Sequence, residues 1–456
     1  MALPSNLSFF MSRLQGVSTS HFKIFPQSSD TATAGKIIRF ELPNNSLVNM
    51  KSIRLLMNAA TANASTNKGG RLPNDISSLI ERVAVYMGGT LVQNSFNQYN
   101  TLVHAKAAIE GPKCDPTLSH PEIVRTRSYH DDSVLPRSGD EAYTAVDDQL
   151  CISNWEGFLG SVAPEIIDTG LFPQITIEFT LADNAVCPTC DDVTHAGFVG
   201  GTGNVGTTYS LTNLSIQCEV LGMATSVLDE LASQRIASVG YLSLPFKNYF
   251  TYQSTHSGTS RFNVNSASWD RLWAVYRPNT YPTQSAPVSV AGHKATGCFV
   301  SLTSGGATDD DIGLPQYDNG GTSTFHTNEE KYVSNYFNFT DQGGASATYQ
   351  LQVNSANVPA YRMNSVEALA MTKNSVDYPK KVMSLDQYKS NYMVQCWRFC
   401  LPESDMNRMA SGLDTRSVSA QGALETTGVS SCALTLFAEV TSELRVGSGR
   451  SIEIVQ

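Results

Sequence analysis

The chain has 456 residues, of which 41% are apolar and only 16% charged, with a formal net charge of −10. Lys and Arg total 31 against 41 Asp and Glu, and no basic block occurs, which excludes a protein that neutralises nucleic-acid phosphates through its own surface. The length is about three times that of a typical domain, so two or three domains are expected. The charge missing relative to an average domain, roughly 25%, is replaced by Ser, Thr, Asn and Gly. These residues space the apolar positions of pleated surfaces, whereas helical surfaces use Glu, Lys and Arg, so the composition leans all-β.

No stretch approaches the ~20 apolar residues that span a bilayer, and MALPSNLSFFMSRLQG has too short an apolar run for a signal peptide. Nine cysteines, an odd count at wide spacing, fit reduced and mostly buried thiols rather than a disulfide framework. An intracellular origin is therefore the expectation, with N-x-[ST] sequons such as those at Asn63, Asn213 and Asn338 unused.

In chain order, residues 1–30 mix apolar pairs such as Phe9-Phe10 with polar filler and read as an N-terminal arm. KIIRFELP then puts Ile38, Phe40 and Leu42 on one face and Arg39 and Glu41 on the other, the period of a half-buried strand. ERVAVYMGGTLVQ repeats this with Val83, Val85 and Met87 before a tight turn at Gly88-Gly89. In FPQITIEFTLADN, Ile175, Ile177, Phe179 and Leu181 alternate with Thr176, Glu178 and Thr180; LSIQCEVLG does the same through Leu214, Ile216, Cys218 and Val220.

Near residue 225 the period changes. Val227, Leu228, Leu231 and Ile236 recur at helical spacing behind Ser226 and Asp229, which predicts a helical connector between two strand-rich halves. Strands resume at GYLSLPFKNYFTY and ATYQLQVN, where Tyr349, Leu351 and Val353 alternate. They end at ALTLFAEVTSEL, with Leu434, Leu436, Ala438 and Val440 on one face, and at RSIEIVQ. Residues 278–346 read as a long loop, and SWDRLWAVYRP as a short helix with Trp269, Leu272, Trp273 and Tyr276 on one face, covering a sheet edge or a junction.

Several motifs invite chemistry. GTGNVG, Gly201 to Gly206, matches a dinucleotide fingerprint with Glu219 at a suitable distance, but it lies between a loop and an expected strand instead of opening a helix, so a surface loop is the expectation. Cys187, Cys190 and His195 would supply only part of a tetrahedral zinc site; no second C-x-x-C exists, and Cys396 and Cys400 are spaced differently. Asp309 to Asp311 with Asp318 lack the ligand order of a calcium loop and read as a solvated acidic segment. No G-x-S-x-G or H-E-x-x-H occurs, and the eight histidines are scattered. Trp269 and Trp273 share their face with Leu272, which points to packing over ligand stacking. No catalytic, cofactor-binding or metal residue is therefore assigned, and the chain is not expected to be an enzyme.

The run RMASGLDTRSVSAQGALETTGVSSCALTLFAEVTSELRVGSGRSIEIV, with looser support from LIERVAVYMGGTLVQ and SWDRLWAVYRP, resembles the double jelly-roll major capsid proteins of virophages and polinton-like viruses. Their wider lineage includes adenovirus hexons and giant-virus capsid proteins. The resemblance implies an all-β fold of two consecutive eight-stranded jelly rolls with short edge-covering helices and long loops. It implies a first jelly roll over 31–224, a connector over 225–240 and a second jelly roll over 241–456. It also implies a double-stranded DNA virus whose virion, assembled inside the host cell, is tiled by homotrimeric, pseudo-hexameric capsomers. The implied partners are neighbouring capsomers, a penton protein at the vertices and minor capsid proteins, with no strong direct nucleic-acid binding. A carbohydrate-binding or glycoside-cleaving β-sandwich and a viral spike or vertex protein are the alternatives. Within SGLDTRSVSAQG, Gly412 and Gly422 are expected to supply backbone freedom and Asp414 and Arg416 to tie the loop, so that losing either charge lowers trimer yield or thermal stability.

Overall fold

The computed structural model describes residues 18–62, 68–70, 76–93, 97–110, 150–187, 189–191, 208–222, 226–282, 288–289, 332–333, 335–376, 383–401, 411–416 and 420–456. The first half is built from β1 (Ser18–Ile24), β2 (Ile37–Glu41), β3 (Leu47–Ala62), β4 (Ile80–Met87), β5 (Thr90–Leu91), helix α1 (Tyr99–Glu110), β6 (Leu150–Ile152), β7 (Ile175–Leu181) and β8 (Thr208–Gly222). Helix α2 (Ser226–Val239) comes next. The second half contains β9 (Tyr241–His256), β10 (Thr259–Val264), β11 (Trp269–Arg277), β12 (Thr348–Val353), β13 (Ala356–Met363), helices α3 (Ser365–Ser375) and α4 (Leu385–Asn391), β14 (Val394–Arg398), β15 (Ala420–Thr427), β16 (Cys432–Gly447) and β17 (Ile452–Val455).

These strands form four principal antiparallel sheets. The first half has the orders β1-β8-β3-β6 and β2-β7-β4-β5, and the second has β9-β16-β11-β14 and β10-β15-β12-β13. Adding eight to each strand number of the first half reproduces the second. Two four-stranded sheets in which the first strand lies beside the last and the second beside the penultimate make a jelly roll. Each half is thus one jelly roll, and the chain is a double one. The helices fall in matching connections too, α1 between β5 and β6 and α3 with α4 between β13 and β14.

Local sequence explains most strands directly. β2 and β7 bury alternate residues, and as paired neighbours in one sheet they set their inward side chains side by side, with Phe40 edge-on to Phe179 at 6.0 Å and Trp155 against Phe179 at 5.0 Å. Gly88 and Gly89 connect β4 to β5 with φ of 57° and 87°, the two positive values that a tight primed hairpin requires. Helix α2 occupies the position expected of the connector.

Two expectations are changed. Within the arm expected over 1–30, Ser18–Ile24 is a strand paired along its whole length with β8, from Ser18 opposite Gly222 to Ile24 opposite Ile216. Its side chains are exposed on both faces up to Lys23, so no apolar alternation marks it. SWDRLWAVYRP is not a helix: Trp269–Arg277 is a central strand between β16 and β14 with all nine residues buried. A strand covered on both faces shows no alternation, and Asp270 and Arg271, buried through ion pairing, imitate the polar side of a helix.

The Phe179→Ala substitution empties a site between Phe40 and Trp155 and should lower unfolding free energy by about 3–5 kcal/mol. Urea denaturation monitored by tryptophan emission measures it, and a loss below about 1 kcal/mol would contradict this core assignment.

Candidate functional site

Among the described residues, a set of buried ionisable groups lies where the two jelly rolls meet. α1 of the first half packs toward β14 of the second, and its Lys106 is buried. The Lys106 ammonium donates to Glu156 Oε2 at 2.7 Å and to the Tyr249 hydroxyl at 3.1 Å, while Tyr249 donates to the same Glu156 oxygen at 3.1 Å. Lys106 and Glu156 belong to the first half and Tyr249 to β9. The ammonium also lies 5.9 Å from the Trp273 ring centroid, and Trp273 Nε1 donates to Glu439 Oε2 at 3.1 Å. Arg271 Nη1 stands 3.5 Å from the other Glu439 oxygen.

Burial by itself pushes the Glu439 carboxyl up, but Arg271, Lys106 and Lys247 outweigh it and hold its pKa at about 2. Lys106 shows the same balance in reverse: burial opposes its charge, and Tyr249, Glu439 and Glu110 outweigh that and raise its pKa. Each ion stays charged because the others are there.

A second cross-link is fully buried Arg277 on β11. Its guanidinium donates to Thr101 Oγ1 at 3.2 Å and Gln98 Oε1 at 3.0 Å in the first half, and to Thr435 Oγ1 at 3.1 Å in the second. The Tyr281 ring covers it at 3.7 Å. The backbone joins in, with Ala163 N donating to Pro245 O at 3.1 Å and Lys247 N donating to Ser161 Oγ at 2.8 Å.

This network reaches the loop at 411–416. Lys247 Nζ donates to Asp270 Oδ2 at 2.6 Å, Ser268 Oγ donates to Asp270 Oδ1 at 2.8 Å, and Gly412 N donates to Ser268 Oγ at 2.9 Å. Leu413 and Trp269 exchange both backbone hydrogen bonds at 2.9 Å, and Thr415 N donates to Ser266 O at 2.8 Å. Gly412 and Gly422 are needed for space, not for positive φ. A Cβ at 412 would overlap the Trp269 carbonyl and the Asp270 carboxylate, and one at 422 the Phe262 ring. Asp414 and Arg416 pair with each other at 2.7 Å on the exposed side. Hydrogen bonds from the Arg416 side chain and backbone N–H hold the Asp414 carboxyl at about 2 and tie the loop to itself, as expected, while its anchor to the rest of the described fold comes from Gly412, Leu413 and Thr415.

The other motifs come apart chemically. All four tryptophans are buried, so none offers a stacking face. Cys187 lies in the first core and Cys396 and Cys400 in the second half. Burial alone raises the Cys218 thiol to about 11. Among the described residues no group of three or more His, Cys, Asp or Glu is placed to hold a metal. His195, the Cys190 side chain, Asp309 to Asp311, Asp318, Gly201 to Gly206 and most of the 278–346 loop lie outside the described residues. The element C-terminal to Gly206 is strand β8, not a helix, and Glu219 accepts from Asn49 Nδ2 at 3.0 Å within the sheet. Sequence patterns do not mark the junction itself, because its partners lie far apart in the chain; the only local signal is charge inside apolar strands, at Lys247, Asp270, Arg271 and Glu439. The charges of the cluster are directed at one another, and the bonds of Tyr249 to Lys106 and Glu156 run from one sandwich to the other.

No protein-family model matches the chain, and no curated protein matches it. Solved structures do. The PBCV-1 VP54 structure fitted into a reconstruction of the virophage Sputnik superposes with a TM-score of 0.54 at 12% identity, over 97% of this chain and 97% of that one. The Sputnik virophage structure gives 0.51 at 11% identity, over 96% and 88%, and the Faustovirus major capsid protein 0.51 at 10%, over 94% and 90%. The chain therefore has the double jelly-roll fold. The solved structures that it resembles include the PBCV-1 virus capsid and the Faustovirus major capsid protein.

Two outcomes test the site. Glu439 titrates near 2 when folded and near 4.5 when exposed, so its stabilisation is complete above about 4.5 and drains away as pH falls toward 2. Glu439→Gln should cost roughly 3–5 kcal/mol at neutral pH and flatten that acid limb in pH-dependent urea melts; an unchanged limb would contradict the assignment. Gly412→Val should lower the thermal midpoint of the chain, while Asp414→Ala leaves it where it is, and differential scanning fluorimetry distinguishes the two.

Proposed function

We propose that this chain is a major capsid protein, a building block of a virion of the virophage or polinton-like type. Three copies would form a pseudo-hexameric capsomer of six jelly rolls that tiles an icosahedral shell. Neighbouring capsomers, a penton protein at the vertices and minor capsid proteins would be its partners. The units would be a first jelly roll over 31–224 joined by the strand at Ser18–Ile24, a connector over 225–240 and a second jelly roll over 241–456.

The observation that carries this reading is the duplicated strand order, with its two halves joined by buried hydrogen bonds at Tyr249 and Arg277. An enzyme gains from a cleft and a poised acid, base or nucleophile, whereas a shell gains from rigid units of repeated shape. The likeness in fold to the Faustovirus and Sputnik capsid structures supports the same reading. The sugar-binding alternative loses its aromatic platform, since Trp155, Trp269, Trp273 and Trp397 are all in the core.

Negative-stain electron microscopy of concentrated full-length protein should show hexagonally packed, three-lobed capsomers. Dispersed single particles that retain on a polysaccharide column would replace this function with the β-sandwich alternative.

A further inference from the structure

Each jelly roll has two features at corresponding places. One is its first strand, β1 or β9, at an edge of its sheet. The other is a return segment that comes back from the sixth strand to pair beside the start of the third. In the first half this is 158–168, where Ile166 to Asp168 pair with Asn49 to Leu47. In the second it includes 411–416, where Leu413 pairs with Trp269 and Thr415 with Ser266.

Within the chain, the first half's return segment meets the second half's first strand. Ala163 N donates to Pro245 O at 3.1 Å, Ser161 Oγ accepts from Lys247 N at 2.8 Å, and Phe158 packs edge-on to Phe246 at 5.1 Å. The reciprocal pair of surfaces, as far as the described residues go, is exposed. β1 runs with side chains exposed from Ser18 through Lys23, leaving Phe22 46% and nearby Phe25 64% exposed. Counting from Ser18 opposite Gly222 and Tyr241 opposite Gly447, Phe22 stands at the register position of Pro245. On the second return segment, Leu401 is 59% and Leu413 40% exposed.

We propose that β1 of one chain docks against the Leu401 and Leu413 surface of a second copy, repeating between chains the contact that the two halves make within one. The proposal rests on the capsid reading and names the faces through which copies join. Among the described residues there is one exposed end of each kind, and two different ends make a heterologous contact that propagates head to tail and closes when the rotation allows. An edge strand with free backbone groups and exposed aromatics is the type of surface that a partner must cover. In a closed ring of three copies, internal and external versions of one contact alternate around six jelly rolls. The loop at 411–416 then has a purpose for its rigid anchoring: it holds Leu413 at the rim of the docking face.

The test uses full-length protein and light scattering behind size exclusion. Wild type should run at three times 49.4 kDa, and Phe22→Asp and Leu413→Asp should each shift the mass to 49.4 kDa with an unchanged circular dichroism spectrum. An equimolar mixture of the two variants should give a species at twice 49.4 kDa, because each supplies the intact end the other lacks. If either variant misfolds, Phe22→Cys combined with Leu413→Cys should yield interchain disulfides under mild oxidant, absent from the single-cysteine controls. Variants that remain trimeric, or a cysteine pair that never cross-links chains, would overturn the docking assignment and leave the capsid reading standing. A wild type that stays monomeric at every concentration and forms no arrays would remove the capsid reading itself.

Discussion

The buried field that Arg271, Lys106 and Lys247 together set at Glu439 is the constraint on which the rest of the molecule depends. Removing a carboxylate, a guanidinium and two ammoniums from water costs several kcal/mol per ion, and each is compensated only while its partners hold position. Lys106 comes from α1 of the first half, Arg271 and Lys247 from strands of the second, so this balance exists only with the jelly rolls docked. Two apolar faces of the same area would bind as well but could slide or rotate. The Tyr249 hydroxyl, which bonds both Lys106 and Glu156 of the other half, and the fork of Arg277 fix one arrangement.

The shape of the chain is a consequence. A strand such as β16 is asked to be apolar toward its own sandwich, through Leu434, Leu436, Ala438 and Val440, and polar toward the other half, through Thr435, Glu439 and Thr441. The same mid-sheet charges run onward through Lys247, Asp270 and Ser268 to Gly412. A surface loop is thereby tied to the interior, which makes its outward residues a fixed relief rather than a mobile fringe. Rigid relief suits a unit that must meet copies of itself in a repeated geometry.

How much of this is legible in the sequence depends on solvent. β2 and β7 have one face toward the core and one outward, so Ile38 and Phe40, or Ile175 to Leu181, announce themselves by alternation. β11 is enclosed on both faces, so alternation vanishes and WDRLWAVYR imitates a helix. β1 is exposed on both, so Ser18–Ile24 shows no apolar pattern at all. Helices α3 and α4 carry a readable signal in Asn364 with Glu367 and Ser384 with Gln387, whose reciprocal capping bonds both form. Asp414 and Arg416 draw attention as charges, yet the residues that anchor their loop are a glycine, the backbone of Leu413 and Thr415.

By itself the sequence determined the all-β class, the division into two strand-rich halves around a helix near residue 226, and the lack of a recognisable catalytic motif. These are local properties, written in composition, period and spacing over a few residues. Only the tertiary structure decided that Lys106 meets Tyr249, that Arg277 reaches Thr101, and that β9 meets the other half while the side chains of β1 are exposed. Those contacts join residues 143 and 176 positions apart, and no local pattern encodes a pairing whose stability exists only after water has been excluded from between the two halves.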